Sequence, residues 1–258
     1  MRFALVLATL LAVAAPAHAS PADIIDRPLT LERGQFAADL VLEVSVAPDQ
    51  FASPASIAPD LWYGVTDKLT VGVIHSDQSL DRIPFFFEPG TTICIRHNDI
   101  LCTRTYHGSS GDVLYSILAG QIAVAAHARL LLRDIDPVKP ALTLGAMATW
   151  RHGRFSIYTD PYVQWGLANQ DLGNRAELWL PLVFAVQPTW RWVVELHTGY
   201  DSDAQVWRDG YHIPVELGTR ARVTRHFDVG GAFGFSTLLG PQNTPKERIV
   251  FLDVAWRS

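Results

Sequence analysis

The stretch that decides the fold is Gln35-Phe36-Ala37-Ala38-Asp39-Leu40-Val41-Leu42-Glu43-Val44-Ser45-Val46-Ala47. Every even position in this stretch is apolar, whereas the odd positions include Gln35, Asp39, Glu43 and Ser45. An amphipathic helix would need apolar residues three and four positions apart. The strict alternation therefore predicts a β-strand with one apolar face and one polar face.

The same alternation recurs along the rest of the chain, in segments 69–74, 124–133, 155–165, 190–197, 211–220 and 250–256. Short connections are predicted at 66–68, 151–154, 187–189 and 224–226, and longer ones at 48–55, 78–110, 134–139, 168–174, 201–210 and 238–246. If the strands run up and down, short and long connections fall at opposite ends, which requires one further turn near 119–121. The sequence thus predicts an all-β protein, an antiparallel up-and-down transmembrane β-barrel of about 12 strands.

A membrane barrel is favoured over a soluble sandwich by the residues on the two strand faces. Lysine occurs only at Lys68, Lys139 and Lys246, all in predicted connections. Aromatic residues stand near both ends of the apolar positions, as two lipid–water interfaces favour. They are Tyr63, Trp150, Phe155, Phe184, Trp190, Trp192, Phe227 and Trp256 near the short connections, and Trp165, Tyr200 and Tyr211 near the long ones.

The first residues predict export. Met1 to Ala19 combines Arg2, a short apolar stretch and the small residues Ala17 and Ala19 before a cleavage position. We therefore expect a cleaved signal peptide over 1–19, a periplasmic lead-in over 20–34 and an outer-membrane barrel over 35–258. The composition is 48% hydrophobic and 18% charged, which excludes disorder, and the net charge of −5 argues against a nucleic-acid partner.

One segment carries a resemblance to a known group. Leu61-Trp62-Tyr63-Gly64-Val65-Thr66-Asp67-Lys68-Leu69-Thr70-Val71-Gly72-Val73 resembles the strand–turn–strand repeat of bacterial outer-membrane barrels. It is especially similar to the putative outer-membrane transporters of aromatic-compound pathways. The match covers about 13 residues. The resemblance implies a Gram-negative outer-membrane location, outer-membrane lipid as surroundings and assembly by the barrel-assembly machinery. The last strand departs from the usual pattern, because Arg257 and Ser258 follow Trp256.

If the apolar positions face lipid, the opposite positions line the lumen. The predicted lumen residues are Asp39, Glu43, Asp60, His127, Arg129, Arg133, Asp160, Glu177, Arg191, Glu195, His197, Glu216, Arg220, Arg222, Asp228, Arg248 and Asp253. Two interpretations stay open. The opposed charges either line a polar channel for a small solute, or they pair to fill a barrel that conducts nothing.

The longest predicted connection, 78–110, holds both cysteines and an unusual aromatic run. An even cysteine count in an exported chain favours a Cys94–Cys102 disulfide, while a zinc site with His97 and His107 would not match usual spacing. No metal or cofactor is expected. Phe85, Phe86 and Phe87 are expected to leave water and to plug or cover the outer mouth of the bore.

Catalysis and calcium binding are the weaker hypotheses. A lipid hydrolase would need a serine beside a histidine, for which His107 with Ser109, His75 with Ser76 and His197 with Ser202 are the candidates. Calcium could be bound by acidic connections holding Asp134, Asp136, Asp201, Asp203 and Asp209. The sequence therefore predicts a channel or transporter for a small solute, with a structural or adhesion barrel and a hydrolase as alternatives.

Overall fold

The computed structural model describes residues 24–76, 80, 92–97, 102–203, 210–241 and 244–258. The predicted signal peptide and the Phe85 to Phe87 run lie outside the described residues. Within the described ranges no helix is long and apolar enough to cross a membrane. The strands are β1 Phe36–Ser45, β2 Ala55–Thr66, β3 Leu69–Ile74, β4 Ile93–Arg96, β5 Ser109–Leu118, β6 Ile122–Ile135, β7 Val138–His152, β8 Phe155–Thr159, β9 Tyr162–Gly166, β10 Glu177–Thr189, β11 Trp192–Asp203, β12 Tyr211–Arg222, β13 Phe227–Leu239 and β14 Thr244–Arg257.

These strands form a closed antiparallel barrel with 12 strands in its wall. Each wall strand pairs with its sequence neighbours, and β1 closes the ring by pairing with both β2 and β14. The strands β8 and β9 are two parts of one wall strand, since both lie between β7 and β10. The short β4 is additional and pairs with the outer end of β2. The predicted fold class and strand number are confirmed.

The wall strand made of β8 and β9 is interrupted at Asp160-Pro161. Proline has no backbone N–H to donate to a neighbouring strand, so the ladder breaks where Pro161 enters it. The Pro161 carbonyl instead accepts a hydrogen bond from the Ala146 N–H of β7 at 3.1 Å. Gly145 permits this close approach, because a Cβ atom at that position would overlap the Pro161 oxygen. The interruption places the Asp160 carboxylate on the inner side, where it is buried.

The connections mostly follow the prediction. The expected turn near 119–121 is confirmed, with β5 ending at Leu118, β6 beginning at Ile122 and Gly120 at a φ of 127°. The long connection expected over 134–139 is wrong, because β6 continues to Ile135 and β7 begins at Val138. Charged residues end the apolar band there without ending the strands, since a strand can continue in water beyond the bilayer. The hairpin is still at the expected end of the barrel.

The outer surface carries the apolar and aromatic residues that a bilayer would face. In β1, Phe36 and Leu40 are 45% and 48% exposed, whereas Asp39 is only 5% exposed. The aromatic side chains predicted near the short connections are exposed or half-buried, and Tyr63 packs against Phe36 with ring centroids 4.6 Å apart. At the other end Tyr200 and Tyr211 stack at 5.3 Å. An apolar band between aromatic belts is the surface of a transmembrane barrel.

The hairpin that the Cys94–Cys102 disulfide closes, called here the disulfide hairpin, extends the wall beyond the end of the short strand β3. β3 ends at Ile74, and beyond it the edge of β2 pairs with β4, with Ile57 opposite Ile93. The Cys94–Cys102 disulfide is present, so the zinc alternative is wrong because neither sulfur remains a free thiolate ligand. Across the hairpin, Arg104 Nη1 lies 3.3 Å from Asp134 Oδ1. The hairpin is thus held between β2 and the turn that joins β6 to β7.

Replacing both cysteines with serine, as C94S/C102S, should loosen this hairpin. By the chain-entropy estimate a ring of this size stabilises its folded form by about 2–3 kcal/mol. We expect faster trypsin cleavage after Arg96 or Arg104 in the variant, measured by mass spectrometry of native protein in detergent. Cleavage after Arg225, in a short turn far from the hairpin, is the internal control and should keep its rate.

Candidate functional site

The inner face of the barrel carries nearly all of the residues that the alternation predicted there. The buried ones are Asp39, Glu43, Asp60, His127, Arg129, Asp160, Glu195, His197, Glu216, Arg220, Arg222, Asp228 and Asp253. Arg133, Glu177 and Arg248 are half-buried. The prediction is wrong for Arg191, which is exposed in the turn after β10, with its guanidinium 4.4 Å above the Trp190 ring. β10 continues to Thr189 and β11 begins at Trp192, so this turn consists of residues 190–191 and not of the expected 187–189.

One group of buried charges is centred on Asp112, a residue that the sequence analysis did not identify. Its carboxylate accepts hydrogen bonds from Trp62 Nε1 at 3.1 Å and Arg129 Nε at 3.0 Å, and His127 Nε2 lies 2.7 Å away. The other ring nitrogen of His127 lies 2.9 Å from Asp160. In β5 the buried Asp112 alternates with the exposed Val113 and Tyr115. This alternation is the feature of the sequence that could have assigned Asp112 to the inner face.

A second group lies on the opposite wall. Arg220 Nη2 donates to Asp253 Oδ2 at 3.0 Å, and both side chains are buried. His197 lies between two carboxylates, with Nε2 3.0 Å from Glu195 and Nδ1 3.4 Å from Glu216. Unpaired buried charges are strongly unfavourable, so these contacts are what allow such a charged interior to fold.

Nearer the outer end, polar side chains from the four strands β6, β7, β9 and β10 form a chain of hydrogen bonds. Arg133 Nη1 donates to Glu177 Oε1 at 3.0 Å, and Gln164 Nε2 donates to Glu177 Oε2 at 3.0 Å. The Thr143 hydroxyl in turn donates to Gln164 Oε1 at 3.3 Å. Arg133 and Glu177 were both predicted as lumen residues, and the structure brings them together.

The segment before the first strand crosses the inside of the barrel at the end with short turns. We call residues 24–34 the strap. The Ile25 N–H donates to Gln187 Oε1 on β10 at 3.1 Å, and the Leu31 N–H donates to Thr70 Oγ1 on β3 at 2.7 Å. In the ring order β10 and β3 stand nearly opposite each other. The strap therefore spans the bore from wall to wall.

Arg27 ties the middle of the strap to two further strands. Its guanidinium forms a short ion pair with Asp228 on β13, and its carbonyl accepts a hydrogen bond from Arg151 Nη2 on β7 at 2.6 Å. β7 and β13 also stand nearly opposite each other in the ring. Arg222 Nε lies 3.7 Å from the second carboxylate oxygen of Asp228, so two guanidinium groups share one carboxylate.

Apolar side chains of the strap complete a core within the barrel. Leu29 and Leu31 belong to one buried cluster with inward residues of the wall that include Trp62, Leu114, Met147, Tyr158 and Val183. Ile24 and Ile25 pack with Ala185 and Val193. The interior at this level is packed with apolar side chains. Residues 20–34 are predicted as a periplasmic lead-in, and the apolar residues of the strap are the sign in the sequence that part of this segment is buried.

The residues considered for catalysis have other partners. The Ser76 hydroxyl donates to Asp60, and His75 Nδ1 lies 2.8 Å from the Pro59 carbonyl oxygen. His107 Nδ1 is 3.9 Å from Asp134. Burial lowers the pKa of His107, although Asp134 opposes the shift, so the ring is uncharged at neutral pH.

The acidic residues considered for calcium binding are likewise paired with basic groups. Asp201 lies 3.2 Å from His212 Nε2, Asp203 lies 3.3 Å from Arg175 Nη1, and Asp136 lies 3.8 Å from Arg104. Asp209 is outside the described residues. Within the part of the chain that is described, no cluster of three or more His, Cys, Asp or Glu side chains has the arrangement to hold a metal ion.

The fold is similar to solved outer-membrane channels. The NanC porin gives a TM-score of 0.58 at 9% identity, over 85% of this chain and 98% of that one. The KdgM porin in complex with disordered oligogalacturonate gives 0.57 at 6% identity, over 85% and 98%. An outer membrane channel from Pseudomonas putida F1 gives 0.55 at 12% identity, over 95% and 100%. No protein-family model and no curated protein sequence matches the chain.

At such low identity these likenesses establish the architecture alone. The protein therefore has the fold of the outer-membrane β-barrels, the class to which all three structures belong. The narrower resemblance to transporters of aromatic-compound pathways stays a prediction.

The close packing of the inner charges can be tested at Gly230. A Cβ atom there would overlap the Asp253 carboxylate, which is paired with Arg220. Gly230→Ala should therefore destabilise the barrel by about 1–3 kcal/mol through overpacking. The measurement is the temperature at which the folded band is lost on an unboiled gel. Gly111→Ala is the matched control, because nothing lies within 4 Å of its Cβ position. Equal melting of the two variants would contradict the packing described here.

Proposed function

We propose that the protein is an outer-membrane channel that passes a small solute through the barrel, and that the strap controls the passage. The observation that carries the proposal is that the strap crosses the bore without belonging to the wall. The wall is completed by backbone pairing of β1 with β14 and β2. The strap can therefore leave its position without breaking the sheet.

The outer-membrane location is part of the same proposal. It is supported by the leader-like residues 1–19, by the apolar outer surface and by the aromatic belts at both ends. Lipid of the outer membrane would cover that surface. The barrel-assembly machinery would act on β14, whose following residue Ser258 donates its N–H to the Phe36 carbonyl at 3.0 Å and so joins the two chain ends of the wall.

The charged part of the interior supports passage of a polar or hydrated solute. A barrel that served only as a scaffold could fill its interior with apolar residues, because replacing buried ion pairs by packed apolar side chains is often neutral or stabilising. Here the interior contains buried acids and buried arginines instead. Lining charges of this kind orient and select solutes in known channels.

Breaking the Arg27–Asp228 ion pair should open the channel more often. In Arg27→Ala the strap loses its charged attachment to β13 while its backbone contacts remain. Losing one partner of a buried pair costs about 3–5 kcal/mol, so we expect mean conductance in planar bilayers to rise at least about threefold. Arg33→Ala is the matched control, because Arg33 is exposed at the end of the strap.

Deleting residues 24–33 extends the same test. The deletion should give the highest conductance and the fastest swelling of liposomes in a neutral sugar, provided that the gel shift on boiling shows a folded barrel. If native protein and folded strap variants all pass neither ions nor sugar, the channel proposal is wrong and the structural barrel is favoured. Lipid hydrolysis lost in Ser109→Ala or His107→Ala would instead support the hydrolase.

A further inference from the structure

Strands β11 and β12 place two carboxylates beside one imidazole on the inner face. Glu216 is directly opposite His197 in the strand register, and Glu195 is the next inward residue of β11. His197 lies 3.0 Å from Glu195 and 3.4 Å from Glu216, and all three side chains are almost fully buried. A single imidazole can carry one positive charge at most, so the cluster has a net negative charge whenever both carboxylates are ionised.

Of the two carboxylates in this cluster, Glu216 has the fewer contacts that could compensate its charge. Neither of its carboxylate oxygens accepts a hydrogen bond. Its neighbours explain why. On β13 the residue opposite is Gly234, and the next inward residue on β12 is Gly218. Glycine has no side chain that could donate, and a Cβ atom at Gly234 would lie only 2.7 Å from the Glu216 Cβ. A buried carboxylate whose nearest basic group is one imidazole nitrogen 3.4 Å away, without a hydrogen bond, is rare and can accept a further partner.

Among the fully buried side chains of the inner face, acids outnumber arginines, while the half-buried Arg133 and Arg248 add positive charge nearer the outer end. Among the described residues the buried acids are Asp39, Glu43, Asp60, Asp112, Asp160, Glu195, Glu216, Asp228 and Asp253, and the buried arginines are Arg27, Arg129, Arg220, Arg222 and Arg257. Arg27 belongs to the strap, so displacing the strap would remove one of the five positive charges from the bore. The open channel would therefore be more negative than the closed one.

We infer that the channel prefers cations to anions and that Glu216 is the residue with which a passing monovalent cation pairs. This inference rests on the proposed channel function and names the charge class of its solutes. A fixed carboxylate in a confined bore attracts cations and repels anions because the surrounding wall screens its charge weakly.

The test is the reversal potential of the full-length protein in a planar bilayer under a potassium chloride gradient. We expect the native channel to be cation-selective, and Glu216→Gln to lower the potassium-to-chloride permeability ratio at least about twofold. The substitution keeps the shape of the side chain and removes only the charge. Glu247→Gln is the matched control, because Glu247 is an exposed acid at the outer end of β14 and should leave the ratio unchanged.

A second measurement uses two sugars that differ by one carboxylate. Liposomes containing the protein should admit glucose faster than glucuronate, and Glu216→Gln should narrow that difference. Chloride preference in the native protein, or an unchanged ratio in folded Glu216→Gln, would overturn this inference and leave the channel function intact. Absence of any current and any sugar uptake, in native and Arg27→Ala protein alike, would overturn both.

Discussion

The rest of this structure depends on one constraint, which is that every backbone N–H and C=O group at membrane depth needs a partner within the protein. A sheet satisfies that constraint in lipid only if it has no edge. β1 meets it by pairing with β14 on one side and β2 on the other. Where a wall strand is too short, as at β3, the disulfide hairpin adds β4 to the exposed edge of β2. Where Pro161 interrupts the ladder, its carbonyl oxygen still accepts a backbone hydrogen bond from the Ala146 N–H.

Closing the sheet also decides what the interior can contain. A ring of 12 strands encloses more space than the small side-chain-filled barrels and less than the open porins. In this protein two groups of side chains, one apolar and one charged, fill that space. At the end with short turns, apolar residues of the strap and the wall form a core. Farther along the axis, acids, arginines and histidines pair with one another along the inner side of each wall.

The division between wall and filling locates the parts that can move. The wall strands are joined by continuous hydrogen-bond ladders, and a change in them would expose backbone groups to lipid. The strap has no ladder. Its contacts with the wall include backbone-to-side-chain bonds from Ile25, Leu31 and Arg33, one backbone bond from Gly34, the Arg27 ion pair and apolar packing. A functional change in the bore is therefore expected in the strap, which can move without breaking a ladder of the wall.

Most of the wall can be predicted from the sequence, because alternation with a period of two assigns each residue of a strand to one face. That rule assigns Asp39, His197, Glu216 and Asp253 to the inner face, and all four side chains are buried there. It fails at Arg191, where the turn lies at 190–191 and not at 187–189. It misses Asp112, because the sequence does not define the start of β5. Both failures concern strand ends, which depend on pairing with neighbours more than on local residue type.

The sequence by itself determined that the protein is a barrel with an apolar exterior and a charged interior, since these follow from the order of side chains along each strand. Only the tertiary structure decided which charges meet, because partners such as Asp112 and His127, or Arg27 and Asp228, come from different strands or from outside the wall. It also decided that residues 24–34 lie inside the bore. No periodicity marks that segment, and its position results from the space that the closed sheet leaves for Leu29 and Leu31 to fill.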